Sequence, residues 1–140
     1  MDTLTKAQRS ERMKLVKAKG TKPEKLVANI LKSMRVKPHT HDSSVPGKPD
    51  FSFSKRKKAV FVHGCFWHRH ASCHNGRRLP KSRLDFWENK LDKNRRRDAR
   101  ILRQLNRLGW SYLVIWECQL AAPDRLEKRL RRFLALGDRH

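Results

Sequence analysis

The chain has 140 residues, 37% hydrophobic and 34% charged, and 35 Lys and Arg against 13 Asp and Glu give it a formal net charge of +22. That length suits one domain with a modest core, and so large a positive excess, self-repelling in isolation, points to a polyanionic partner, nucleic acid first. No apolar run approaches the roughly 20 residues of a membrane helix, no signal-peptide core opens the chain, and three cysteines, Cys65, Cys73 and Cys118, argue against a disulfide framework and for a reducing cytoplasm.

Residues 1–20 are polar and basic with weak periodicity, and read either as a short helix or as an arm that orders on DNA. Residues 21–140 read as one folded domain. Thr21-Lys22-Pro23-Glu24 is a helix start, with Thr21 as cap, Pro23 in the first turn and Glu24 near the positive helix end. Leu26, Val27, Ile30, Leu31 and Met34 follow at helical spacing, which predicts a helix over about residues 23–34. Val36 to Lys48 reads as a loop punctuated by Pro38, Pro46 and Gly47.

Phe51-Ser52-Phe53 alternates as a strand, Ser54 to Lys58 makes a basic turn, and Ala59-Val60-Phe61-Val62 predicts a buried antiparallel partner. The segment from His63 to Arg83 is too polar and too long to hold itself rigid, so something must fix it. A long helix is predicted from about Asp85 to Leu108, its inward stripe Trp87, Leu91, Asn94, Asp98, Ile101, Leu105 and Leu108 interrupted by two polar residues, with Gly109 as its stop. Trp110 to Trp116 is the strongest strand, and Pro123 opens a terminal helix with Leu126, Leu130, Phe133 and Leu134 on one face.

Three constellations carry chemistry. The first is Cys65, His70 and Cys73, with Cys118 far downstream. Thiolate and imidazole are the ligands zinc prefers in a closed tetrahedral site, and such a site would tie the irregular loop to the end of the last strand. Spacing alone leaves His68 and His74 as rival ligands. The second is Pro49-Asp50 at the head of a strand. In many nucleases this pair is followed on the next strand by acid-x-Lys, and the carboxylates hold magnesium. Phe61 and His63 stand at those positions here, while Glu24, His63, His68 and Asp98 supply polar groups nearby, and histidine can replace lysine as base or acid. The third is Phe66-Trp67 with Trp87, either a core contact beside the metal loop or an aromatic wedge for a base stack.

Together these residues resemble the very-short-patch repair (Vsr) endonucleases. The resemblance runs over about residues 5–122 and rests on Thr21-Lys22-Pro23-Glu24, Pro46 to Asp50, His63-Gly64-Cys65-Phe66-Trp67-His68, Pro80 to Arg83 with Phe86-Trp87, Asn94 with Arg97-Asp98, and Leu108-Gly109-Trp110 followed by Val114 to Cys118. It implies an α/β, restriction-endonuclease-like fold, a mixed central sheet flanked by helices with a structural zinc site. It implies Mg2+-dependent nicking 5′ of the mismatched thymine in a T:G pair of double-stranded DNA.

By the same resemblance, Asp50 and the Val62 main-chain carbonyl hold Mg2+. His68 is the general base, Glu24 orients water or His68, and His63 and Asp98 form a supporting pair. Cys65, His70, Cys73 and Cys118 bind Zn2+. Phe66, Trp67 and Trp87 intercalate, and Lys48, Arg83 and Asn94 join them on the DNA-binding face. A monomer on the bacterial nucleoid, working with mismatch-repair proteins, completes the family picture. Two readings stand beside it: a restriction-type or mobile-element nicking enzyme of the same fold without mismatch specificity, and a non-catalytic zinc module that only binds DNA.

Overall fold

The computed structural model describes residues 21–135, so the basic arm over residues 1–20 lies outside the described residues. The first helix among the described residues, α1 (Lys22–Ser33), begins behind Thr21, whose backbone is extended but whose side chain makes no capping bond. The sheet is built from β1 (His39–Thr40), β2 (Phe51–Phe53), β3 (Lys58–His63) and β4 (Ser111–Trp116). Between β3 and β4 come a single helical turn, α2 (His74–Arg77), and the long α3 (Leu84–Arg107); α4 (Pro123–Phe133) follows the sheet.

The four strands lie in sequence order. β1 and β2 pair antiparallel, and so do β2 and β3 with Phe51 opposite Val60, while β3 and β4 run parallel with His63 opposite Trp116. The sheet is therefore mixed, and the parallel step is the one that needs α3 as its crossover.

Strand alternation divides the core in two. Val60 and Ile115 point to one face and pack with Val27, Leu31, Met34, Phe51, Leu126, Leu130 and Leu134 from α1, β2 and α4. Ala59 and Phe61 point to the other and pack with Val45 and Leu105, flanked by Ile101, Tyr112 and Val114. The leucines of α4 are almost fully buried, and each contributes roughly 1.5–3 kcal/mol. Arg56 and Lys58 donate to the carbonyls of Leu134 and Phe133, satisfying acceptors at the negative end of α4.

The same alternation carries His63, two residues beyond Phe61, to the α3 face at the strand end. Along α3, Leu91 and Leu105 are buried, whereas Asn94 and Asp98 stand half-buried above that strand end. Leu108 is 52% exposed, against the inward position expected from periodicity. Leu108 is the C-cap of α3, one residue beyond its last helical residue Arg107. Gly47 is required by space and by conformation: its φ is +79°, and a Cβ there would lie 2.3 Å from Ile101 Cγ2. Its close approach to α3 aims the following Lys48-Pro49-Asp50 segment into the region between α1 and α3.

Candidate active site and metal centre

The elements meet around an open cleft of about 1050 Å³, lined by Glu24 from α1, Asp50 before β2, Val62 and His63 from β3, and Asn94 and Asp98 from α3. Three of them are placed by element ends, whereas Asn94 and Asp98 project from the middle of α3. Glu24 lies in the first turn of α1, Asp50 one residue before β2, and His63 closes β3.

Asp50 accepts a hydrogen bond from the Val62 amide at 2.7 Å. In an antiparallel pair the amide and carbonyl of one residue face the same neighbour. β2 starts at Phe51, so the Val62 carbonyl faces the same edge as Asp50 with no β2 residue paired to it. Burial pushes the Asp50 carboxyl up, the Val62 amide opposes this, and the nearby Glu24 charge adds to it.

His68 Nδ1 meets Asp98 Oδ2 at 2.5 Å. The bond orients the ring and leaves Nε2 as the nitrogen able to exchange a proton with a substrate or water. His63 lies face to face on His68, ring centres 3.8 Å apart and planes within 7°. Asp98 gives its hydrogen bond to His68, and His63 lies beside the pair, the donor atoms of all three within 4.8 Å of one another. His63 is 8% exposed at the strand end, and the carboxylate descending from α3 meets the outer ring of the stack.

Burial holds His63 well below the usual 6.5, at about 3, with the like charge of His68 adding to the effect. The unfolded chain therefore binds a proton that the folded chain does not between those two values. The fold keeps the full contribution of neutral His63 above 6.5 and loses it as pH falls toward 3. The expected result is that His63→Asn flattens the fall of melting temperature with acidification below pH 6.5, measured by thermal unfolding across a pH series; an unchanged slope would contradict the burial of a neutral ring.

The irregular segment after β3 gathers Cys65, His70, Cys73 and Cys118, whose donor atoms all lie within 4.8 Å of one another. Cys118 Sγ stands 3.4 Å from His70 Nδ1, and the Cys118 amide donates to Cys65 Sγ at 3.4 Å. His74 is exposed on α2 and His68 is turned to Asp98, so of the three histidines left open by spacing, His70 is the one brought to the thiols. Three thiols and one imidazole in a closed group suit a tetrahedral thiophilic cation such as zinc. Burial pushes the Cys65 thiol up to about 12, so a cation is what would stabilise its thiolate. Gly76 packs against the backbone of His70, where any side chain would collide.

His70 stacks on Trp116, ring centres 4.2 Å apart and planes within 12°, and Trp116 meets His63 edge-on at 5.3 Å. Four rings thus connect the Cys/His group to His68.

Phe66, Trp67 and Trp87 form one half-exposed aromatic cluster, with ring centres 5.3 to 5.7 Å apart. Asn94 donates to the Trp67 carbonyl at 3.4 Å, and Arg78 and Lys90 lie over the Phe66 and Trp67 rings. Lys48 and Arg83 are exposed, Lys48 at the cleft rim and Arg83 over the ring of Phe86.

Sequence reasoning assigns no individual role to two residues that the structure places at the aromatic cluster and the cleft. Phe86, 43% exposed, extends the cluster through Trp87. His41 is paired with Glu24 and has its donor atom within 4.8 Å of Asp50. The Phe86-Trp87 doublet was a signal for the first; a lone histidine in a loop gave none for the second.

A family model described as DNA mismatch endonuclease Vsr matches residues 1–75. The chain is 44% identical over 133 residues to the type II nicking enzyme V.XorIIP of Xanthomonas oryzae pv. oryzae, covering 95% of this chain and 96% of that protein. It is 40% identical to the type II nicking enzyme V.NmeAIP of Neisseria meningitidis, covering 95% and 94%. It is 38% identical to the DNA mismatch endonuclease Vsr of Escherichia coli, covering 89% and 79%. With both the family model and these near full-length relatives in agreement, the chain belongs to the Vsr family and is a DNA-nicking hydrolase.

Proposed function

We propose that the enzyme nicks the thymine-bearing strand 5′ of a T:G mismatch, with Mg2+ at Asp50 and Zn2+ at the Cys/His group, on a restriction-endonuclease-like fold. The observation that carries the reading is the convergence of Glu24, Asp50, His63, His68 and Asp98 on one cleft beside an aromatic cluster. Pure DNA binding needs no such set of acids beside phosphate, which disfavours the non-catalytic module.

Asp50 and the Val62 carbonyl offer oxygen donors that suit a hard divalent cation. Mg2+ there supplies charge neutralisation at the scissile phosphate and lowers the pKa of water. The protein residues do the rest. His68 accepts the proton of the attacking water on Nε2, and Asp98 stabilises the imidazolium that results. Glu24 orients the water. The water oxygen forms the new P–O bond while the bridging P–O bond breaks, its electrons leaving with the departing oxygen, which is then protonated from solvent. His63, stacked behind His68, holds the base in place and stays neutral through the physiological range.

Phe66, Trp67 and Trp87 act as the wedge. Unstacking costs a few kcal/mol per step and least at a mismatched pair, so the wedge also selects the lesion. Asn94 positions it from behind, Lys48 and Arg83 contact the backbone, and the arm over residues 1–20 clamps the duplex. The Cys65, His70, Cys73 and Cys118 centre fixes the loop that carries both wedge and base. The enzyme acts as a monomer in the bacterial cytoplasm, on nucleoid DNA, alongside mismatch-repair proteins.

The second reading is a nicking enzyme of the same fold without mismatch specificity; the Xanthomonas and Neisseria relatives are type II nicking enzymes by name. Strand mapping tests the mismatch reading. With each strand of a T:G duplex end-labelled in turn, the expected product is one nick, on the T strand, immediately 5′ of the mismatched T; a nick in the G strand or in both would overturn it.

A further inference from the structure

His41 follows β1 and has a φ of 51°, a left-handed conformation that a side chain other than glycine rarely adopts. Its amide donates to the Asp50 carbonyl at 3.3 Å, which continues the β1–β2 pairing by one rung. Its ring, with a side chain only 9% exposed, is paired through Nε2 with Glu24 Oε1. The donor atoms of Glu24, His41 and Asp50 lie within 4.8 Å of one another. A strained backbone persists where the surroundings over-determine it, and such positions cluster at functional sites. Here the surroundings are the two carboxylates of the cleft.

Glu24 reaches the cleft on a side chain with three torsions, and a carboxylate so mounted samples several rotamers unless one oxygen is held. We propose that His41 is a positioning residue of the nicking reaction: it holds one oxygen of Glu24 so that the other faces the cation site at Asp50. This rests on the roles given above to Glu24 and Asp50. A structural contact alone would leave the chemistry untouched once the fold is intact. A positioning contact shows in rate and in cation affinity, because partners behind a site typically matter about 10–100-fold in metal affinity or activity.

The test uses the full chain with its Cys/His centre loaded, and the variants H41A, H41Q, H41N, E24Q and H41A/E24Q. Single-turnover nicking at saturating T:G duplex, duplex affinity, and Mn2+ affinity from the free-ion electron paramagnetic resonance signal are measured for each. H41A is expected to slow nicking and weaken Mn2+ binding by about 10-fold or more, with duplex affinity unchanged. H41Q, which keeps an N–H within reach of Glu24, recovers most of both; H41N, too short to reach, does not. In the E24Q background H41A adds nothing, since its route to the chemistry is already gone.

Full-rate nicking by H41A, equal rates for H41Q and H41N, or an undiminished effect of H41A on top of E24Q would each overturn the proposal. Should H41A fail to fold, the comparison of H41Q with H41N decides by the same criterion. If E24Q itself nicks at full rate, the role given to Glu24 fails; if E24Q is slow and the His41 variants are not, the His41 proposal alone fails.

Discussion

Asp50→Asn is expected to abolish nicking while leaving the fold as stable as before, or more so. The isosteric amide keeps an oxygen for the Val62 N–H, so the local backbone bond survives. What disappears is the anionic donor for the cation. Charge stabilisation by a metal supplies several kcal/mol at the transition state, and each ~1.4 kcal/mol is tenfold, so the loss is about a thousandfold or greater.

Stability moves differently. Burial raises the Asp50 carboxyl, so the folded chain binds that proton more tightly than the unfolded chain. The contribution of Asp50 to stability is therefore largest in acid and is lost as pH rises out of the ordinary carboxylate range. At neutral pH without a divalent cation the ionised group opposes the fold, and the amide relieves it, a trade of stability for activity often met at active sites. Single-turnover rates and thermal melts in EDTA check both halves. A slow variant that also melts well below the parent would point to a structural role for Asp50, and a fast one would remove it from the chemistry.

The second large effect is expected at the Cys/His centre. Cys118 stands just beyond β4, whereas Cys65, His70 and Cys73 belong to the loop after β3, so Cys118→Ser cuts the one long-range tie in the group. Zinc analysis should show the metal lost from the purified variant. Structural zinc is worth many kcal/mol, so the melting temperature should fall by ~10 °C or more. Nicking should fall with it, for two geometric reasons: the loop carries Phe66, Trp67 and His68, and the His70–Trp116–His63–His68 rings rest on one another. Chelation of the parent enzyme should reproduce the loss, and zinc should restore it. A zinc-free Cys118→Ser enzyme with parental melting temperature and rate would show that the four residues hold no structural metal.

Much of the architecture is legible in the sequence because periodicity records burial. Val27 and Leu31 mark the inward side of α1, and Leu126, Leu130 and Leu134 that of α4. The alternation of Phe51-Ser52-Phe53 and the apolar run before His63 mark the antiparallel pair. Asn94 and Asp98 are visible as polar interruptions in an apolar stripe, and the structure turns both toward the cleft. What periodicity cannot record is what the loops do. β1 spans two residues and has no pattern of its own. His41 is held by a left-handed backbone and by a carboxylate seventeen positions away, neither of which leaves a local trace. The choice among His68, His70 and His74 depends on where a loop turns, and so does the pairing of Asp98 with His68.

The activity proposed for this cleft is nicking of mismatched DNA with a hard divalent cation. It is tested most directly by exposing the parent enzyme to end-labelled duplexes that differ only in carrying T:G or T:A at one position, with Mg2+ or with EDTA. The expected result is a Mg2+-dependent nick in the T:G duplex alone. Equal nicking of both duplexes would contradict the mismatch specificity, and nicking in EDTA would contradict the role given to Asp50.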